Sequence, residues 1–527
     1  MPTEIPKLFL DSYLAFTIVP SRVIIKGRLT CRLPMTPRSL LKTNQTFNVS
    51  RHSAADLLTW PLLGPFLRWR HARRTLQTIL LIASGFIVFD GLFGPQQAPK
   101  NLATVTAWVH YRGLVVLALL LVGNLFCLAC PFMLPREAGR WLGQHLGWQR
   151  VVTKGMRNKW LTVILLVLFF MAYELFSLWA SPWWTAWIIA AYFGGALVVD
   201  TFFQGAAFCK YVCPLGQFNF FGSLNAPAEI KIRSAATCAA CRSKDCIAGN
   251  GLTGQRGCEL WLFQEKKVGN LDCTFCLDCV HACPHDNIGL MARIPTQELW
   301  TDPRRSGLGR FSQRWDLAAL VIVLTFGAYL NAFGMISPVY VLRQNLANWL
   351  GLTSEIPGLL LIFMVGFTLI PAVLLTVTSL LSRRLAGHTH EPLSLIARRF
   401  VFSLAPLGFG MWLAHYAFHF LTGALTLIPV LQAYLNDSGF AAGQPYWQLG
   451  PLVPLEWLFP IQAVFLYLGL FGSLVAAFQI ALNYYRNRSI ALRAFLPWGG
   501  LALLMLVAAL WIMFQPMEMR GTIFMGL

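Results

Sequence analysis

The sequence predicts a mainly α-helical membrane bundle of about nine spans, with a cysteine-rich segment inserted between the fourth and the fifth. Three observations predict it. Apolar runs recur along the 527 residues, 56% of which are hydrophobic, and several exceed the ~18 residues that mark a membrane helix. The formal charge of +20 sits in short segments between those runs, on alternate connections. Eight of the thirteen cysteines fall between Cys238 and Cys283. A basic balance of this kind can mark nucleic-acid binding, but confinement to loops is the footprint of a membrane protein, so no nucleic-acid partner is expected.

Residues 1–70 form a basic N-terminal segment with weak periodicity. Leu8 to Val19 is apolar but short, and no small-residue cleavage site follows it, so it is not read as a signal peptide. Cys31 stands alone and reads as an inert thiol. The basic run from Arg68 to Arg74 anchors the first span. A four-helix membrane module follows over 71–223, with spans at 76–95, 105–126, 160–180 and 183–204. The inserted segment covers 224–312. A five-helix module over 313–527 has spans at 316–336, 357–381, 399–430, 458–483 and 493–514. The seventh is overlong and contains Pro406, which predicts a kink or an interfacial first turn.

Arginine and lysine crowd 136–159, 210–314, 383–399 and 486–493, whereas 91–103, 181–183, 337–356 and 432–457 hold few. The N-terminus and the insert are therefore expected in the cytoplasm and the C-terminus outside it.

The insert carries the clearest chemistry. Cys273, Cys276, Cys279, Cys283 and Pro284 spell C-x2-C-x2-C-x3-C-P, the bacterial ferredoxin run that holds [4Fe–4S] clusters. A second set, Cys238, Cys241, Cys246 and Cys258, lies upstream. In two-cluster ferredoxins the fourth cysteine of a run serves the other cluster. The expectation is therefore one [4Fe–4S] cluster on Cys238, Cys241, Cys246 and Cys283, and another on Cys273, Cys276, Cys279 and Cys258. Zinc is the plainer alternative for C-x2-C pairs, and the third cysteine and trailing proline argue against it. The upstream set departs from the pattern: four residues separate Cys241 from Cys246, and Glu259 stands where a proline would follow Cys258. Such a ferredoxin-like segment is too small for a large apolar core and would be held by its metal in a reducing compartment.

Two further motifs lie at the membrane edge. Cys127-Leu128-Ala129-Cys130-Pro131 ends the second predicted span, and Cys209 to Cys213, followed by Pro214, comes after the fourth. Both lie on the side of the insert. Three readings stay open: one further iron–sulfur or metal centre, redox-active dithiols, or buried thiols.

These Cys-Pro motifs followed by a two-cluster segment resemble the NosR/NapH type of polyferredoxin-like membrane proteins, over about residues 70–300. The resemblance implies a bacterial inner-membrane electron carrier linking the quinone pool, or a redox partner protein, to reactions outside. The first Cys-Pro motif has x2 where that family usually has x3, residues 1–70 are too short for the flavin domain of its larger members, and the last five spans are an addition.

Ionisable groups inside spans are costly and mark candidate sites. Asp90, His110 and Glu174 are candidate proton acceptors for quinol oxidation; Asp90 and His110 read equally as wet interface residues, whereas Glu174 lies deeper; Asp200 reads as solvated or capping. Met411, His415 and His419 share one face of the seventh span at i, i+4, i+8. The two histidines read as ligands of one metal ion, as a quinone contact, as ligands of separate haems with a partner such as His110, or as packing residues. His281 and His285 flank Cys283 and are expected to tune or shield its cluster. No nucleotide-binding loop or serine-nucleophile elbow occurs in a credible context.

The function expected is an iron–sulfur electron-transfer protein, a component of a quinol-linked oxidoreductase. It would pass electrons between quinone or a partner subunit and cytoplasmic clusters. The alternatives are an assembly factor that reduces a metal ion or thiol for a partner enzyme, and an ion-coupled transporter using the last five spans.

Overall fold

The computed structural model describes residues 55–387 and 390–517. Cys31 and the apolar stretch from Leu8 to Val19 lie outside them. The described residues are mostly helical and contain nine helices long and apolar enough to cross a membrane. The first four are Ala72–Phe93, Leu102–Leu121, Lys154–Leu175 and Pro182–Phe202. The last five are Trp315–Phe333, Ile356–Ala386, Leu393–Asp437, Leu455–Tyr484 and Arg488–Phe514.

Two expected boundaries change. The second span stops at Leu121, and Gly123 turns the chain at φ +139, so Cys127 sits on a separate short helix, Leu125–Ala129. Asn124 begins that helix, its side chain accepting from the Cys127 amide. In the seventh span the helix Leu393–Phe400 passes through a 3₁₀ turn and restarts at Ala405. Pro406 lies in the first turn of the new helix, where its missing N–H costs nothing.

The two membrane modules expected from the sequence are parts of one bundle. The fifth span packs on the third and the seventh on the second. Val115, Leu166 and Phe170 share a continuous core with Phe409, Trp412 and Leu466. Small residues let backbones approach: a Cβ on Gly410 would lie 2.8 Å from the Phe465 carbonyl oxygen, which fixes the crossing of the seventh and eighth spans.

The insert is closed by a two-stranded antiparallel sheet. β1, Ala228–Ile232, pairs with β2, Ile288–Ala292, with Ile230 opposite Leu290. Residues assigned from sequence to the N-terminal segment join it: the Leu290 amide donates to Asp56, Arg233 pairs with Asp56 at 2.7 Å, and Leu58 and Leu67 enter its core. That core includes Cys246, Cys258, Cys273 and Cys279 themselves.

Candidate metal centres

Strand pairing brings the two ends of the insert together, and the eight cysteines lie between them. Each thiol, once ionised, would feel the charge of its neighbours, and these neighbours sort the sulfurs. Cys246 faces Cys238, Cys283 and Cys241. Cys279 faces Cys258, Cys276 and Cys273. Cys283 is thus among the neighbours of Cys246, and Cys258 among those of Cys279. The membrane-edge cysteines form a third group, since Cys130 faces Cys127, Cys209 and Cys213. Cys209 lies on a π turn, Phe208–Val212, and Cys213 caps the next helix with its sulfur 3.2 Å from the Gly216 amide. Single π turns of this kind recur at functional sites.

Among the described residues, no three His, Cys, Asp or Glu side chains come close enough to hold a single metal ion. Burial pushes Cys127 and Cys276 up to about 12, and Cys246 and Cys258 up to about 11. Thiol–disulfide chemistry uses a thiolate, which burial disfavours at Cys127. Cys241 differs: it is half-buried, and against the opposing desolvation the amides of Lys244 and Ser243 bring it below the usual thiol value.

Each group has its own cations. Arg136 donates to the Cys209 sulfur at 3.5 Å. Arg73 faces Cys276, Lys210 faces Cys258, and Lys267 faces Cys273 and Cys279. Lys244 faces Cys238 and Cys241.

The groups are also wired together. Asn124 donates to the Cys273 carbonyl at 3.0 Å, and Cys127 and Cys273 lie within electrostatic reach. The Cys258 amide donates to the Cys246 carbonyl at 2.8 Å, joining the two insert groups. Lys159 is buried and pairs with buried Asp272 at 2.5 Å while donating to the Lys210 carbonyl at 2.6 Å. It thus clamps the second Cys-Pro loop to the residue before Cys273. Glu259, the departure from the ferredoxin pattern, bonds Arg136, Arg140 and Arg256. Arg136 also holds Asp200 at 3.0 Å, and Asp200 accepts from the Phe208 amide. The aspartate expected to be solvated or capping is therefore a buried cap on the Cys209 turn.

The backbone around the second group is unusual. Asp272, Phe275 and Leu277 all have positive φ, at 64°, 53° and 61°. For bulky residues this region costs of the order of 1–3 kcal/mol each and persists only where surroundings enforce it. Gly123 leaves room for the Phe275 ring, since a Cβ there would lie 2.7 Å from it.

A cleft of about 550 Å³ opens among the spans. Pro131 and Pro214 line it, each directly after a membrane-edge cysteine, together with apolar side chains and Arg112, Tyr111, Thr185 and Tyr416. Arg112 is buried, lies 4.4–5.1 Å from the rings of Trp108, Tyr173 and Tyr416, and donates to the Tyr173 hydroxyl at 3.1 Å.

The intramembrane groups singled out from sequence fare differently. Asp90 accepts from the Leu102 amide and organises the start of the second span. His110 meets the Val105 and Ala424 carbonyls with its two ring nitrogens, so it braces the second span to the seventh and is not presented as a haem ligand. His415 and His419 turn their Nε2 atoms toward each other at 3.3 Å, which presents neither to a separate haem. His281 contacts the Leu67 carbonyl at 3.2 Å, tying the insert to the segment before the first span; His285 is exposed.

No family model matches the chain, and neither curated proteins nor solved structures give a match.

Proposed function

We propose that the chain is a membrane iron–sulfur electron carrier of the NosR/NapH type, oriented with the insert in the cytoplasm. The observation that carries this reading is the succession of three four-cysteine groups from the cleft outward. Cys127, Cys130, Cys209 and Cys213 adjoin the cleft. Cys258, Cys273, Cys276 and Cys279 come next, and Cys238, Cys241, Cys246 and Cys283 follow.

The residues present fit cubane clusters. Each group gathers four thiols, no three of them close enough for one ion. A cubane suits such spacing because every thiolate takes a different iron. Bound clusters supply one-electron transfer, and the protein supplies spacing and potential. The chain's own residues bury Cys127, Cys213, Cys258, Cys273 and Cys279, set Arg136 and Lys210 beside the buried groups and hold the Cys276 loop in a strained conformation. The cleft suits a quinone: apolar walls bury the ring and tail, while Arg112, Tyr111 and Thr185 offer polar contacts to the ring oxygens. Quinol oxidation there would release two electrons and two protons.

The test uses the anaerobic holoprotein in lipid nanodiscs. A quinol analogue should bleach the visible cluster absorbance, and Ala118→Trp, which fills the cleft, should slow that bleaching about tenfold or more. Reduction by dithionite should be unchanged. Equal quinol rates in the two proteins would remove the cleft from the reaction.

A further inference from the structure

The seventh span holds a donor group made of none of the cysteines. Nε2 of His415 lies 3.3 Å from Nε2 of His419 and 3.1 Å from Sδ of Met335. Met335 comes from the turn after the fifth span, so the donors arrive from two elements. His415 is completely buried, His419 is 4% exposed and Met335 1% exposed. The surroundings are rich in thioether: fully buried Met411 lies one turn before His415, and Gln462 donates both to the Ala414 carbonyl at 3.2 Å and to Sδ of Met513 at 3.1 Å.

We infer that His415, His419 and Met335 bind one Cu(I) ion. Geometry, softness and charge each favour it. Three donors around one ion, with bonds of about 2.0–2.3 Å, stand about 3.5–3.8 Å apart in a plane, so His415 needs to draw away from His419 and from Met335 by less than about 1 Å each. Thioether sulfur selects a soft ion, and imidazole suits copper as well. All three donors are neutral when ligating. The cost of burying an ion in low dielectric rises with the square of its charge, so a monovalent ion is far cheaper here than Zn²⁺ or Cu²⁺. The histidine pair, read from sequence as one of several options, gains its third donor from a residue 80 positions away.

The experiment uses the detergent-solubilised, anaerobically purified full chain with its iron loaded, so that the cysteine thiolates are occupied. Cu(I) is supplied from a competing chelator, and retained copper is compared with Met335→Leu, which keeps volume, and His419→Gln. Iron content is the folding control. The wild type should retain about one copper more than either variant, with affinity lowered about tenfold or more by loss of a donor. Copper X-ray absorption should give two nitrogens and one sulfur. Equal copper in wild type and Met335→Leu at equal iron, or an all-sulfur shell, would overturn the assignment. If His419→Gln fails to fold, Met335→Leu alone decides.

Discussion

Lys159→Met should destabilise the protein by about 3–5 kcal/mol, because it leaves a buried carboxylate without its cation. The Lys159 and Asp272 side chains are 1% and 0% exposed, and their contact at 2.5 Å joins the third span to the loop that carries Cys273. The same ammonium holds the Lys210 carbonyl between Cys209 and Cys213. Its removal therefore takes from the buried Asp272 side chain its hydrogen-bonded ammonium and loosens two cysteine groups together. The measurement is the apparent thermal midpoint in detergent, beside iron content. Lys159→Met should melt well below the wild type, and the double variant Lys159→Met/Asp272→Asn should recover much of the loss. If the single variant melts with the wild type, the clamp contributes nothing to stability.

Cys276→Ser should be comparably severe and more local. Cys276 stands between Phe275 and Leu277, both with positive φ, and faces Arg73. A ligand bound at Cys276 would help hold that strained turn, and small metal-held segments lose much of their stability with the metal. The variant should lose about four iron atoms, one cubane. It should also expose the insert to limited proteolysis. The Cys238 group should keep its iron, because its members are Cys238, Cys241, Cys246 and Cys283. Loss of both centres at once would show that the insert has no independent second group.

The spans were legible because length and hydropathy of an apolar run are local properties, as were the cysteine spacings. The end of the second span is hidden in the sequence because Leu125, Phe126 and Leu128 prolong the apolar run past Gly123 and Asn124. A glycine followed by a capping asparagine was the available stop signal. What holds the groups together was not legible. Lys159 and Asp272 are 113 residues apart, Arg136 and Glu259 are 123, and Met335 and His415 are 80. Such contacts belong to the packing of distant elements and leave no periodic trace. Glu259 looked from sequence like a defect in a ferredoxin pattern, yet three arginines converge on it. Which helices of the two membrane stretches pack together was not legible for a related reason. The hydropathy of the second and seventh spans says nothing of which helix each one packs against.

The central claim is that twelve cysteines form three iron–sulfur groups of four. Iron and acid-labile sulfide counts on the anaerobically purified protein, read with low-temperature EPR after reduction, test it most directly. About twelve iron atoms with matching sulfide are expected, falling by about four in Cys127→Ser with the signals of the other two groups retained. Stoichiometric zinc without labile sulfide would contradict the account.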